Sequence, residues 1–277
     1  MSATAGVERL PIGTPHCDVD RDGHVVIVTM NRPAAKNALS TDMLVGMADA
    51  FAYIDAEPQV RVGILTGAGG EFCAGADLKA LDSAGPPADE RVRRRAGEIE
   101  NFHWKGLLRE ARPGKPLVCA VEGHAVAGGT ELLLGTDIRV AGQSATLGLF
   151  EARRALFPMG GSAVRLPRQI PYTHAMDILL TGRPITAAEA VAMGLITRVV
   201  PDGTALDVAR EIADQIAACG PLSVQAILRC YRQTEAMAEE EALKISDAIG
   251  WPVIGSEDAK EGTRAFAEKR PAVFHGR

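Results

Sequence analysis

Glu131 and Glu151, twenty positions apart, and two small-residue turns, Ala74-Gly75-Ala76-Asp77 and Ala127-Gly128-Gly129-Thr130, are parts from which one active site could be assembled. Carboxylates move protons, and backbone N–H groups that converge on one point stabilise an oxyanion. Each turn follows a short apolar run that reads as a strand, residues 62–66 before the first and 116–121 before the second. In the first turn three small side chains let a ligand approach the main chain, and Gly75 supplies either that access or its own dihedral freedom. In the second, Gly128-Gly129 stands directly before a helix, whose unpaired N–H groups and positive end suit developing negative charge. Glu131 then falls in the first turn of that helix. Each part also has a purely structural explanation: a tight turn without a ligand, a helix-start acid held by the dipole, and a loop acid at 151 paired with Arg153 or Arg154.

Other chemistries lose support. Gly160-Gly161-Ser162-Ala163-Val164 lacks the second glycine of a nucleophile elbow, and no phosphate-binding glycine fingerprint stands between a strand and a helix. That weakens nucleotide hydrolysis and hydride transfer. The histidines, His16, His24, His103, His124, His174 and His275, show neither three-residue nor four-residue pairing, so no metal site is expected. Arg91, Arg93, Arg94 and Arg95 read as a solvated helix face. A net charge of -5 argues against a protein built to hold nucleic acid.

The elements that must carry the acids and turns alternate between strand and helix. Residues 24–30 form a continuous β-branched run, as in a buried strand, stopped by Asn31-Arg32-Pro33. Ser40, Thr41 or Asp42 can cap a following helix in which Met43, Leu44, Met47, Ala48, Phe51 and Ile54 recur at helical spacing. The unit recurs at residues 61–66 and 117–121, the latter leading to a helix near residues 129–134, and such alternation predicts an α/β class. A polar, Pro-containing loop is expected at residues 82–90, as the least ordered stretch, before an amphipathic helix. Beyond Pro201 the pattern becomes helical only, with Val208, Ile212 and Ile216 at spacings of four, then helices expected at residues 222–234, near 239–249 and at 258–269. The expected division is therefore a core over residues 1–200 and a helical region over 201–277.

With 277 residues the chain can bury a large core, and 47% hydrophobic against 23% charged residues is the balance of a globular protein. Cys17, Cys73, Cys119, Cys219 and Cys230 form an odd set in mostly apolar surroundings and read as reduced thiols. The first thirteen residues lack a signal-peptide pattern, and no apolar run approaches the roughly 18 residues of a membrane span, so a cytoplasmic protein is expected.

The run 72–78, then Gly123-His124-Ala125-Val126-Ala127-Gly128-Gly129-Thr130-Glu131-Leu132 with Asp137 beyond it, resembles the signature of the enoyl-CoA hydratases and isomerases, the crotonase superfamily. Asn31-Arg32-Pro33 with Lys36-Asn37-Ala38-Leu39, Phe157-Pro158-Met159-Gly160-Gly161, Leu180-Thr181-Gly182 and Phe266-Ala267-Glu268-Lys269-Arg270 follow in family order, so the likeness covers about residues 20 to 272. The resemblance implies a crotonase-like spiral of ββα units, with C-terminal helices that mediate a homotrimer or a dimer of trimers. It implies an oxyanion hole made by the N–H groups of Ala76 and Gly128 around a thioester carbonyl. Coenzyme A, as part of the acyl-CoA substrate rather than a separate cofactor, would lie along Ala35, Lys36, Ala38, Ala74, Asp77 and Leu78, with Phe266 and Lys269 near its adenine.

Members differ chiefly in the acids facing the oxyanion hole, and hydratases resemble this chain in having glutamate at both positions. The implied reaction is addition of water to a 2-trans-enoyl-CoA, with Glu131 and Glu151 binding the water and Glu151 supplying the proton to Cα. A Δ3-Δ2 enoyl-CoA isomerase working with a single glutamate is the enzymatic alternative, and an acyl-CoA-binding or RNA-binding protein that kept the fold is the non-catalytic one. Phe150, Arg153-Arg154 and Met159 depart from common hydratase residues and would reshape the acyl pocket. The stretch 157–166 resembles an actinobacterial subgroup that includes hydratases of steroid side-chain breakdown.

Overall fold

The computed structural model describes residues 6–77 and 89–277. Its centre is a seven-stranded sheet in the order β1-β2-β3-β4-β5-β7-β10, made of β1 (Glu8–Arg9), β2 (Cys17–Asp22), β3 (Val25–Met30), β4 (Val62–Gly67), β5 (Leu117–Val121), β7 (Ile138–Gly142) and β10 (Arg198–Val200). From β1 to β3 the pairing is antiparallel, and from β3 onward every neighbour is parallel. A second sheet, β6-β8-β9, joins β6 (His124–Val126), β8 (Thr146–Gly148) and β9 (Pro184–Thr186).

The continuous apolar strands are explained by burial on both faces. Val26, Val28 and Met30 of β3, with Leu117, Cys119 and Val121 of β5, enter one core, while Val25, Ile27, Val118 and Ala120 enter another on the opposite face. The first core receives helix α1 (Thr41–Ala56) through Met43, Met47, Phe51 and Ile54. Its start is set by Ser40, whose hydroxyl accepts the Met43 N–H, one of the three caps expected.

Helix α2 (Glu90–Glu98) holds the arginine cluster on its surface. Arg91 donates to the carbonyls of Pro11 and Gly13, and Arg95 pairs with Asp49 at 2.7 Å, so the cluster is partly engaged in holding α2 to the body. Helix α3 (Phe102–Gly106) follows, packed so closely on α1 that a Cβ at Gly106 would stand 2.4 Å from the Leu44 carbonyl oxygen. The loop expected at residues 82–90 lies outside the described residues up to 88.

The catalytic candidates sit on α4 (Gly128–Leu133), which leaves β6, and on the turn after β8. Helices α5 (Ser162–Gln169), α6 (Tyr172–Thr181) and α7 (Ala187–Ala192) complete this half. The expected division near residue 201 falls just before α8 (Ala205–Ala217), yet Ala205, Ala209, Ile212 and Ala213 of α8 form the second core with the large sheet. By packing, α8 belongs to the sheet. Helices α9 (Pro221–Thr234), α10 (Glu239–Ile254) and α11 (Glu257–Glu268) bury little: Ile249 in α10, Asp258 and Ala265 in α11, none in α9.

Among the described residues no helix is long and apolar enough to cross a membrane. All five cysteines are free thiols, three of them buried.

Candidate active site

The two small-residue turns meet because the chain between β3 and α1 is laced to the first of them. The 3-10 turn Pro33–Ala35 ends with Lys36 and Asn37 in the left-handed region, after which Lys36 accepts the Ala74 N–H at 3.0 Å, and Leu39 donates to the Gly75 carbonyl at 2.8 Å. Asn37, fully buried, accepts the Arg32 N–H and donates to the carbonyls of Ala68 and Glu71. This lacing holds residues 35–39 against residues 74–77, of which Ala74 and Ala76 line the cavity described below. Asp77 is paired with Arg32 at 2.7 Å. Leu78 lies outside the described residues.

Glu71 ties this edge to the second turn. Its carboxylate receives the His124 N–H and ring at 2.9 and 2.7 Å and meets Lys36 Nζ at 2.9 Å. The parallel bridge between Leu39 and Ala76 uses the N–H groups of Leu39 and Asp77, so that of Ala76 points the other way. Gly128 opens α4, where the first N–H groups have no carbonyl four residues back to receive them. A Cβ built on Gly128 would lie 3.6 Å from the Ala76 nitrogen, so the two residues, whose N–H groups make no turn or loop hydrogen bond among the described residues, are close neighbours. Gly129 permits the approach, since a Cβ there would stand 2.3 Å from the Cys73 carbonyl oxygen. Between them Ala127 holds φ 50 and ψ -123, a conformation that favours glycine, fixed by its N–H bond to the Gly148 carbonyl at 2.8 Å.

A cavity of about 580 Å³ opens beside these N–H groups, and both glutamates line it. The remaining wall is mostly apolar, with Leu39, Trp104, Leu107, Phe150, Leu156 and Phe157 among its residues. Trp104 is held by the Arg109 guanidinium stacked 4.3 Å from its ring. Phe150 and Met159 both line the cavity, as does Arg154, whereas Arg153 turns away to the Thr181 carbonyl.

The two acids sit in different surroundings. Glu131 is 5% exposed, and its carboxylate accepts the N–H of Gly160 at 2.9 Å, the N–H of Ser162 at 3.1 Å and the hydroxyl of Ser162 at 3.0 Å. Glu151 begins the short turn after β8, and its Oε2 is buried with no partner among the described residues. Burial pushes the Glu151 carboxyl above its ordinary range, the Glu131 charge pushes the same way, and its own backbone N–H and Arg154 oppose them.

Five site positions read from the sequence, Ala74, Ala76, Gly128, Glu131 and Glu151, line this one cavity, whereas Ala35, Lys36, Ala38 and Asp77 are not among its lining residues. Phe266, 87% exposed, and Lys269 stand on or beside α11 and are not among its lining residues. Sequence reasoning missed Trp104 and Leu107, which had no motif, and it missed what Gly160 and Ser162 do. The small residues at 160–162 fail as a nucleophile elbow, and their place before a helix is the signal that their N–H groups suit an acceptor. Among the described residues no three His, Cys, Asp or Glu side chains are grouped to hold a metal ion.

A model of the family "Enoyl-CoA hydratase/isomerase" matches residues 20–277. The chain is 59% identical to enoyl-CoA hydratase EchA19 of Mycobacterium tuberculosis, covering 95% of this chain and 97% of that protein. It is 36% identical to (E)-benzylidenesuccinyl-CoA hydratase of Thauera aromatica, covering 91% and 96%. The crystal structure of enoyl-CoA hydratase EchA1 from Mycobacterium marinum superposes with a TM-score of 0.86 at 40% identity, covering 95% of this chain and all of that one. The chain belongs to the enoyl-CoA hydratase/isomerase family, and its fold is the crotonase fold.

Proposed function

We propose that the protein is an enoyl-CoA hydratase, adding water across the double bond of a 2-trans-enoyl-CoA to give a 3-hydroxyacyl-CoA. The observation that carries this reading is one cavity lined by two differently held carboxylates and by Ala76 and Gly128, whose N–H groups have no turn or loop partner among the described residues. The thioester carbonyl oxygen accepts from Ala76 and Gly128, and this draws electron density from the conjugated alkene so that Cβ becomes electrophilic. Water held by Glu131 and Glu151 attacks Cβ while Glu131 takes its proton, in keeping with three donors that match an acceptor-only carboxylate. The alkene electrons pass to the thioester as an enolate, and Glu151 in its acid form supplies the proton to Cα. Burial, which favours that neutral form, supports Glu151 as the donor.

Coenzyme A enters as part of the substrate and no separate cofactor takes part. It follows Ala35, Lys36, Ala38, Ala74 and Asp77, with Phe266 and Lys269 near the adenine, and Leu78, the further position the resemblance implies, lies outside the described residues. The protein acts in the cytoplasm as a homotrimer or a dimer of trimers, and the sparsely buried α9 to α11 support such an assembly. The apolar cavity wall favours a hydrocarbon acyl group, in fatty-acid or steroid side-chain β-oxidation.

The test is to follow loss of the conjugated thioester absorbance for enoyl-CoA substrates of increasing length, with mass spectrometry for the added water. Glu131→Gln and Glu151→Gln each lower kcat by about a hundredfold or more. Turnover of a 3-enoyl-CoA without any gain of water on a 2-enoyl-CoA would establish an isomerase instead, and tight acyl-CoA binding with neither reaction would establish a binding protein.

A further inference from the structure

Ser162 has no part in the steps above, yet it is fully buried and the partner of its hydroxyl is a catalytic candidate from another helix. Glu131 leaves the first turn of α4 and reaches across 31 residues of sequence to the start of α5. That start has no side-chain cap, because its cap residue is Gly161 with φ 108. The carboxylate substitutes for one, taking the Ser162 N–H on Oε1 and the Gly160 N–H on Oε2. Gly160 must be glycine for this: a Cβ there would stand 2.5 Å from Oε2.

A carboxylate offers about four acceptor positions, two on each oxygen. The Ser162 hydroxyl takes the second position on Oε1, so one remains, and it is on Oε2. The other charged groups that act on this carboxylate, Glu151 across the cavity and Arg165 on α5, do so without a hydrogen bond to it. Orientation of Glu131 therefore depends on two backbone N–H groups and one side chain. We propose that Ser162 is a positioning residue for hydration: its hydroxyl closes Oε1 and holds the Glu131 carboxylate so that Oε2 faces the attacking water. This rests on the reading of Glu131 as the group that takes the proton from water.

The test compares two reactions on the same protein, hydration of a 2-enoyl-CoA and exchange of the Cα hydrogens of a saturated acyl-CoA with D2O. Exchange breaks the Cα–H bond, gives the proton to Glu151 and the electron pair to the enolate oxygen, and returns a deuteron by the same route, so it needs no water-activating group. Ser162→Ala is expected to lower kcat for hydration about tenfold to a hundredfold, the effect of removing one hydrogen bond to a charged group. KM and the exchange rate are expected to stay within about twofold, and Ser162→Thr, which keeps the hydroxyl, recovers most of the hydration rate. Equal loss of hydration and exchange in Ser162→Ala, unchanged hydration, or no recovery in Ser162→Thr would each overturn the proposal. Glu131→Gln in the same assays separates the two levels. If it leaves hydration intact, the reading of Glu131 fails; if it abolishes hydration while Ser162→Ala leaves hydration unchanged, only the positioning role fails.

Discussion

Glu151 is a carboxyl placed where ionisation is unfavourable, and that has a consequence for stability as well as for proton donation. Its pKa is raised in the folded state, chiefly by burial and then by the Glu131 charge. A raised carboxyl stabilises the fold fully below its unfolded pKa of about 4.3, and that contribution is lost as pH rises through the higher folded value. Glu151→Gln removes the titration, so above that range the variant should match or exceed the parent in urea unfolding, and it should lose the advantage as pH falls toward the ordinary carboxylate range. A deficit of the variant that grows as pH rises would mean that the charged form is the favoured one. At the same scale Gly160→Ala drives a Cβ into the Glu131 carboxylate. Hydration should fall by about a hundredfold or more from misplacement of that group, with coenzyme A ester affinity retained in calorimetry.

At the scale of elements, the site depends on how closely α4 approaches the first turn. Gly129→Ala would put a methyl against the Cys73 backbone, which has no flexible end to yield, and should cost about 1–3 kcal/mol in stability by overpacking. It should also part the Ala76 and Gly128 N–H groups, lowering kcat by about a hundredfold or more. A variant with parental kcat would show that the two turns need not touch. The elements themselves were legible to different degrees. The buried parallel strands β3, β4 and β5, the Ser40-capped α1 and the four last helices announce themselves by apolar runs and helical spacing. The small β6-β8-β9 sheet does not, since three-residue strands carry no period and owe their pairing to partners up to 40 residues away. Nor does the place of α8, whose small apolar face reads like those of its neighbours but packs on the sheet.

For the whole molecule, the sheet is covered on both faces by its own helices, whereas the last three helices leave Ile227, Tyr231, Leu243, Trp251, Ile254 and Phe266 more than half exposed. Helices that bury so little of their apolar surface within one chain support the assembly proposed above. The expected outcome is sedimentation as a trimer or a dimer of trimers, with a melting temperature that rises with protein concentration. Trp251→Glu together with Ile254→Glu should shift the protein to smaller species; a parent protein that sediments as a monomer at every concentration would refute the assembly.

The chain by itself determined which groups are available and where local geometry is forced: two glutamates, two glycine-containing turns each after a buried strand, and a helix beginning at the second turn. These are properties of neighbouring residues, and short-range sterics and burial patterns suffice to read them. Only the tertiary structure decided what each group does. Glu131 and Glu151 are equivalent as residues and become unlike because one meets Gly160 and Ser162 at the start of α5 while Oε2 of the other is buried without a partner among the described residues. That distinction arises from contacts between segments far apart in the chain, and no periodicity or local propensity encodes which donor will meet which carboxylate.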